Sequence, residues 1–256
     1  MIDIPFLRIM EAFLFISVRL TGLFLFAPFL GSGVIAPQVK ATLVLALTLV
    51  LYPLVSPHFP QMPLNRWPIV ALGELTIGAA IGIATSVVFD AVQMAGQILS
   101  VQMGYSLINI LDPNTQVEST VVAMFHQLLV MLIFLQLGVQ FWLLRAIGNS
   151  FAYLPPGSAH LSGAFVRTLF ISGSIVIEVG IQIAAPVLSA TLLADIVLGL
   201  LGKASPQLPV MLLGPAVKSL LGIAVLIASL QFWPGMFRGL FLRSFAYSEQ
   251  LLHLAR

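Results

Sequence analysis

The chain has 256 residues, of which 59% are hydrophobic and only 8% are charged. Soluble domains carry about 25% charged residues, so eleven basic and nine acidic side chains cannot keep a surface of this size in water. This composition excludes a cytosolic enzyme, a disordered protein and a nucleic-acid binder, which needs a dense basic face. Cysteine is absent, which excludes a disulfide framework, a zinc ribbon and a thiol nucleophile. The sequence predicts an all-α, polytopic membrane protein.

Six hydrophobic segments approach the length that a membrane-crossing helix needs, about 20 apolar residues. They span residues 9–30, 41–55, 69–89, 121–144, 164–201 and 210–233. The fifth would be about 57 Å long as one helix, far more than the hydrocarbon core needs, and Pro186 stands near its middle. We therefore expect the fifth segment to be kinked or broken at Pro186.

The basic residues lie mainly on one side of these segments. That side has Arg8, Arg66, Arg145, Arg167, Arg238, Arg243 and Arg256, whereas the other side has Lys40 and Lys203. The positive-inside rule then places both termini in the cytoplasm. A seventh span, made by a chain reversal at Pro186, would remove this asymmetry, so six spans are favoured. Because no stretch is polar enough for a separate soluble domain, we expect a single integral membrane domain over residues 1–256.

The C-terminal tail, residues 235–256, predicts an amphipathic helix. Its apolar residues recur at helical spacing: Phe237, Leu240, Phe241, Phe245, Leu251 and Leu252. Arg238, Arg243 and Glu249 lie off that face. This pattern is typical of a helix that lies at a membrane surface or against a partner.

Five ionisable residues lie inside the hydrophobic segments: Arg19, Glu74, Glu178, Asp195 and Lys218. A charge at bilayer depth costs several kcal/mol, so each of these residues needs either a function or a partner. One hypothesis is a proton or ion relay. The other is pairing, with each other or with polar groups in an assembly, where the partner of Lys218 would be Glu178 or Asp195. Pairing is favoured because the sequence has no chain of His, Asp and Glu at relay spacing.

Short motifs indicate helix packing rather than catalysis. The sequence has no phosphate loop, no paired-histidine zinc motif on a helix and no Gly-x-Ser-x-Gly elbow. We therefore expect neither catalysis nor a bound metal or cofactor. Gly78 and Gly82 form a GxxxG motif in the third segment, which favours the close approach of two helices.

A stripe of polar residues leads directly out of the third segment. Asp90, Gln93, Gln97 and Ser100 recur at i, i+3, i+7 and i+10, which places them along one face of a helix. Such a stripe predicts a face toward a water-filled passage or a polar partner.

The stripe is followed by a loop, residues 104–116, that is too apolar for an ordinary surface loop. It begins with Gly104, Tyr105, Ser106, Leu107, Ile108, Asn109, Ile110, Leu111, Asp112 and Pro113. The Asp-Pro-Asn sequence near its end is a turn signal. A run of Leu-Ile-Asn-Ile-Leu exposed to solvent would be unfavourable. We expect this loop to be buried against another part of this chain or against another chain.

Three blocks of sequence occur in a distinctive order. The first is Arg19-Leu20-Thr21 through Ala27-Pro28, with Pro37 and the apolar run to Tyr52-Pro53. The second is Met103-Gly104-Tyr105-Ser106 followed by Asp112-Pro113. The third comprises Asp195, Leu198-Gly199-Leu200-Leu201, Pro206-Gln207-Leu208 and the pair Gly214 and Lys218. Together they cover nearly the whole chain and resemble the family of the flagellar biosynthetic protein FliR, an inner-membrane export-gate component of type III secretion.

The resemblance implies a structural and gating subunit, not an enzyme, of the flagellar protein export apparatus. One copy would assemble with several copies of FliP and FliQ into a helical, closed pore for unfolded export substrates. FlhB and FlhA of the export apparatus and the flagellar basal body would be further partners in the bacterial inner membrane. The loop 104–116 would be the plug of the pore, the polar stripe would face the pore, and the five charged residues would lie at subunit interfaces.

Two alternatives stay open at this point. One is the injectisome homologue of the same superfamily. The other is a small secondary transporter, with a midplane site formed by Glu178, Asp195 and a helix broken at Pro186. Transporters often have paired broken helices in two halves, and only one candidate occurs here, which counts against this alternative. An intramembrane enzyme is disfavoured because no set of nucleophile or metal ligands is present.

Overall fold

The computed structural model describes residues 5–28, 35–56, 59, 62–105, 121–160, 162–207 and 209–255. These residues form helices and connecting turns, and no strand occurs among them, so the prediction of an all-α chain is confirmed. The helices are α1 (Pro5–Phe26), α2 (Pro37–Val55), α3 (Trp67–Gln102), α4 (Val121–Gln136), α5 (Val139–Tyr153), α6 (Gly163–Ala204), α7 (Val210–Ser229) and α8 (Trp233–Leu254). Short 3₁₀ turns, Leu64–Arg66 and Leu230–Phe232, precede α3 and α8.

Five of the described helical stretches are long and apolar enough to cross a membrane, and there are six if α4 and α5, which meet at a bend of 67°, count as one broken span. The six predicted segments therefore each match a stretch of helix. Helix α3 is longer than predicted, because it continues from the apolar third segment through the polar stripe to Gln102.

The breaks in the helices differ from those expected. Helix α6 runs for 42 residues through Pro186, so of the kink or break expected there the break is absent, and the kink stays a prediction. An isolated proline removes one backbone hydrogen bond, whereas separating the two halves would expose many backbone groups away from water. The predicted fourth segment, 121–144, is instead divided at Leu137 and Gly138, where Gly138 has a φ of +68° and caps the N-terminus of α5. This left-handed conformation suits glycine, which lacks a Cβ atom.

The chain forms two compact units. Unit 1 comprises Met1–Val87, Gly138–Gly173 and Phe241–Arg256, and unit 2 comprises Val88–Leu137 and Ser174–Leu240. The prediction of a single membrane domain over residues 1–256 stays a prediction.

Unit 1 is built on a close crossing of α1 and α3. A Cβ atom on Gly78 would overlap the carbonyl oxygen of Arg19, and one on Gly22 would overlap that of Leu75. At Gly82, the next position of the GxxxG motif, a Cβ atom would lie 2.9 Å from the carbonyl oxygen of Leu23. The motif thus allows the two backbones to touch, as the sequence predicts.

Helix α8 has the amphipathic pattern predicted for the tail. Phe237 and Phe241 are fully buried, whereas Arg238 and Arg243 are exposed. Within unit 1, the hydroxyl of Ser244 donates a hydrogen bond to the carbonyl oxygen of Ala84, and that of Tyr247 donates one to Thr168. The apolar face of the tail therefore packs, at least in part, against this same chain.

Candidate functional site

The candidate site lies in unit 2, where α3 ends and the predicted plug loop begins. We name it the loop-root cluster, and define it by the residues that surround this point. They are Gln102, Met103, Gly104 and Tyr105 at the end of α3, Asp195 on α6, and Pro215, Lys218, Ser219 and Gly222 on α7. The α7 members recur at spacings of three and four residues, so they share one face of that helix.

Asp195 connects three helices through its two carboxylate oxygens. Its Oδ1 lies 3.0 Å from Nζ of Lys218 on α7. Its Oδ2 accepts a hydrogen bond of 3.0 Å from Nε2 of Gln102, the last residue of α3. The side chains of Lys218 and Asp195 are 18% and 42% exposed, respectively. Of the two partners that the sequence allows for Lys218, the structure therefore selects Asp195 over Glu178.

The residues after Gln102 are held against α7. The hydroxyls of Tyr105 and Ser219 share a hydrogen bond of 2.5 Å. Met103 is buried, and a Cβ atom on Gly222 would lie 2.7–2.9 Å from three atoms of its side chain, so the Met103 side chain fills the space that a larger residue at Gly222 would need.

Gly104 makes the turn that leads from α3 into the loop. Its φ is +88°, in the left-handed region that L-residues avoid, and a Cβ atom on it would lie 3.0 Å from Cβ of Pro215. Both its conformation and its surroundings therefore favour glycine.

We expect Gly104→Ala to destabilise unit 2 by about 1–2 kcal/mol from backbone conformation alone, with crowding against Pro215 added. Gly138→Ala is a matched control, because Gly138 also has a positive φ but a Cβ atom there would meet only Phe141 at 3.5 Å. The measurement is the temperature at which the purified protein in detergent loses half of its native peak on size-exclusion chromatography. An equal loss of stability in both variants would show that Pro215 does not crowd this position.

Most of the predicted plug lies outside the described residues. Gly104 and Tyr105 are described, and Ser106 through Pro113, with the rest of the loop to residue 116, are not. What the structure provides is therefore the attachment of the loop and not its path.

The predicted polar stripe is only partly exposed. Asp90 and Gln97 are exposed, Gln93 is half-buried and Ser100 is fully buried. An α-helix turns by about 100° per residue, so Ser100 points about 80° away from Asp90 around α3, toward the interior. Ser100 is therefore buried within this chain, and the pore-facing role of the stripe stays a prediction.

Arg19 and Glu74 form a buried ion pair in unit 1. Nε of Arg19 lies 2.6 Å from Oε2 of Glu74, and both side chains are 0% exposed. The Arg19 guanidinium also donates hydrogen bonds of 2.9 Å to Oγ of Ser150 and to the carbonyl oxygen of Leu154, and it lies 3.9 Å from the centroid of the Phe151 ring. The two residues were expected at a subunit interface, and the structure places them instead in the interior, where they join α1, α3 and α5.

Glu178 differs from the other four charged residues. It is exposed on α6 and has no ion-pair partner among the residues that the structure describes. Nor does any group of three or more His, Cys, Asp and Glu side chains in the described ranges have the arrangement of a metal site.

Part of the loop-root cluster and part of the surroundings of Arg19 are not predicted from the sequence. Gln102, Ser219 and Gly222 are in no predicted site, although 219 and 222 fall on the helical face of Lys218. Ser150 was missed as well, and a lone serine in an apolar segment has no sequence signal that distinguishes it from other helix positions.

An all-α chain with five to six long apolar helices is a multi-pass membrane protein. Its residues 10–244 match the family described as "Bacterial export proteins, family 1", and the chain belongs to this family. It is 28% identical over 218 residues to "Flagellar biosynthetic protein FliR" of Escherichia coli K12, covering 82% of this chain and 81% of the relative.

Two further relatives come from flagellar and secretion systems. The chain is 30% identical over 217 residues to "Flagellar biosynthetic protein FliR" of Pectobacterium carotovorum, covering 82% of this chain and 80% of the relative. It is 28% identical over 218 residues to "Secretion system apparatus protein SsaT" of Salmonella typhimurium, covering 83% and 84%. The resemblance to the FliR family inferred from three sequence blocks is confirmed.

Proposed function

We propose that this bacterial export protein is a structural and gating subunit, without enzymatic activity, of the flagellar type III export apparatus. It forms the inner-membrane pore with FliP and FliQ, in contact with FlhB and FlhA at the flagellar basal body, and unfolded export substrates pass through. Residues 104–116 are the plug that closes this pore. Both termini face the cytoplasm.

One observation carries the assignment of the plug. Each residue from Gln102 to Tyr105, where α3 ends and the loop begins, contacts α6 or α7. An apolar loop with a fixed attachment can return to the same closed position, which a loop on a free helix end could not do. This supports a seal rather than a passive surface connection.

The exposed apolar helices support a hetero-oligomer. Only 17% of the residues in the most apolar 18-residue stretch of α2 are buried within the chain, and only 22% in that of α6. Such faces need lipid or other chains to cover them. Sister subunits of the same hydrophobic character would do so.

The transporter alternative loses its main feature. Its binding site required a helix broken at Pro186, and α6 continues through that residue. Asp195, which would have been a ligand of the transported ion, already binds Lys218 and Gln102.

Deletion of residues 107–111 tests the plug. We expect assembly to persist, because the loop-root cluster is left intact, and the membrane to leak ions, because the pore loses its seal. Assembly is checked by native mass spectrometry of the tagged chain in mild detergent, and leakage by iodide uptake into membrane vesicles, normalised to the amount of complex. Glu249→Gln, which removes an exposed carboxylate on α8, is the control. Unchanged ion uptake in vesicles that contain the deleted complex would overturn the plug assignment.

A further inference from the structure

We propose that Asp195 is a positioning residue for the plug. With Lys218 and Gln102 it forms a latch that holds the start of the loop on α6 and α7 in the closed pore. This inference rests on the proposed function of the loop.

The Asp195 carboxylate connects α6 to two other helices. Lys218 on α7 neutralises its charge, and Gln102 connects it to the end of α3. Only three residues separate Gln102 from residue 106, so the position of this hydrogen bond fixes where the loop begins.

Two consecutive residues of α7 hold this start. Lys218 binds Asp195, which in turn binds Gln102 at the end of α3. Ser219 binds Tyr105, in the first residues of the loop, directly. A displacement of α7 relative to α6 would therefore loosen both attachments together.

The exposure of the ion pair suits a connection that opens and closes. The Arg19–Glu74 pair is fully buried, and breaking it would leave an uncompensated charge in the interior. Lys218 and Asp195 both lie partly at the surface of the chain, so their separation does not leave a charge enclosed in the interior. The latch can thus break while unit 2 stays folded.

Removing either charge should open the plug without preventing assembly. For Asp195→Asn and for Lys218→Met we expect iodide uptake per assembled complex to rise by about two- to fivefold, the range that follows from the loss of a partly exposed ion pair. The pair exchanged as Asp195→Lys with Lys218→Asp should restore uptake to the wild-type level, because the Gln102 amide can accept a hydrogen bond as well as donate one. Glu249→Gln should leave the uptake unchanged.

A disulfide provides a second test, since the chain has no cysteine of its own. A Cβ atom on Gly222 would lie 2.9 Å from Cγ of Met103, where the sulfur of a cysteine would be. With an S–S bond of about 2.05 Å, a disulfide needs about 3 Å between one sulfur and the Cβ atom of its partner. Met103→Cys with Gly222→Cys should therefore fasten the loop start to α7 upon oxidation.

Oxidation of this cysteine pair should reverse the leak of Asp195→Asn, and reduction should restore it. The same disulfide should not reverse the leak of the 107–111 deletion, which lacks the seal itself. If the deletion leaks but Asp195→Asn and Lys218→Met only lower the amount of complex, the latch is overturned and the plug stands. If the deletion does not leak, the proposed function fails, and the latch fails with it.

Discussion

Arg19→Met is expected to prevent the protein from accumulating in the membrane. The substitution leaves the Glu74 carboxylate in the interior of unit 1 without its counter-charge, since both side chains are 0% exposed. Removing one partner of a buried ion pair costs about 3–5 kcal/mol. Whole domains are stable by only about 5–15 kcal/mol, so this one change removes a large part of the total.

The contacts of Arg19 explain why no neighbour can replace it. Its guanidinium binds Glu74 on α3 as well as Ser150 and Leu154 at the end of α5. After Arg19→Met the Ser150 hydroxyl still donates to the carbonyl oxygen of Ile147, but the carboxylate and the Leu154 carbonyl lose their donor. The penalty therefore comes mainly from the uncompensated charge.

The double variant Arg19→Met with Glu74→Met separates charge from packing. Replacement of a whole buried ion pair by apolar residues is often close to neutral, so the double variant should recover most of the protein that either single variant loses. The measurement is the amount of tagged protein in the membrane fraction, together with its thermal midpoint in detergent. Arg238→Met, at an exposed position of α8, is the control. A double variant as poor as Arg19→Met alone would show that Arg19 acts through its shape rather than its charge.

The sequence predicts the helices well because their signal is local. Length and apolar content define six segments, and each matches a stretch of helix. The predictions differ from the structure at the helix breaks. There, the loss of a backbone hydrogen bond must be compared with the backbone conformation that a residue can adopt. Pro186 lies in a long apolar helix that tolerates the loss of one hydrogen bond, whereas Gly138 adopts a backbone conformation that few other residues reach.

The sequence alone does not identify the ion-pair partner of each charged residue. Glu178 and Asp195 lie on the same helix, and about 25 Å of helix separates them at 1.5 Å per residue. The partner of Lys218 is therefore set by the depth at which α7 meets α6, which no local pattern records. The structure places Lys218 beside Asp195 because α7 packs against the end of α3, with Gly222 on Met103.

The same limit applies to the interior pair and to the stripe. The sequence shows that Arg19 needs a partner, but only the crossing of α1 and α3 identifies Glu74. Ser100 has the spacing of the stripe, yet it lies at the edge that faces the core.

Gly78→Ala is expected to separate α1 from α3 and to destabilise unit 1 by about 3 kcal/mol or more, the upper end of the cost of overpacking. The added Cβ atom would overlap the backbone carbonyl oxygen of Arg19, which cannot move unless the whole helix moves. At Gly173 on α6 nothing lies within 4 Å of an added Cβ atom. There the same substitution should stabilise the helix by about 0.5–1 kcal/mol, because alanine loses less conformational freedom than glycine.

One chemical change should therefore have opposite effects at these two helical glycines, and the thermal midpoints of the two purified variants measure the difference. Gly82→Ala should fall between them, since its Cβ atom would be 2.9 Å from the nearest oxygen.

Glu74 lies one turn before Gly78 on α3, so any separation of the helices also lengthens the 2.6 Å contact between Arg19 and Glu74. Gly78→Ala should consequently cost less stability in the double variant Arg19→Met with Glu74→Met, which lacks the ion pair, than in the wild type. Equal effects in both backgrounds would contradict the inference that this crossing is what brings the two charges together.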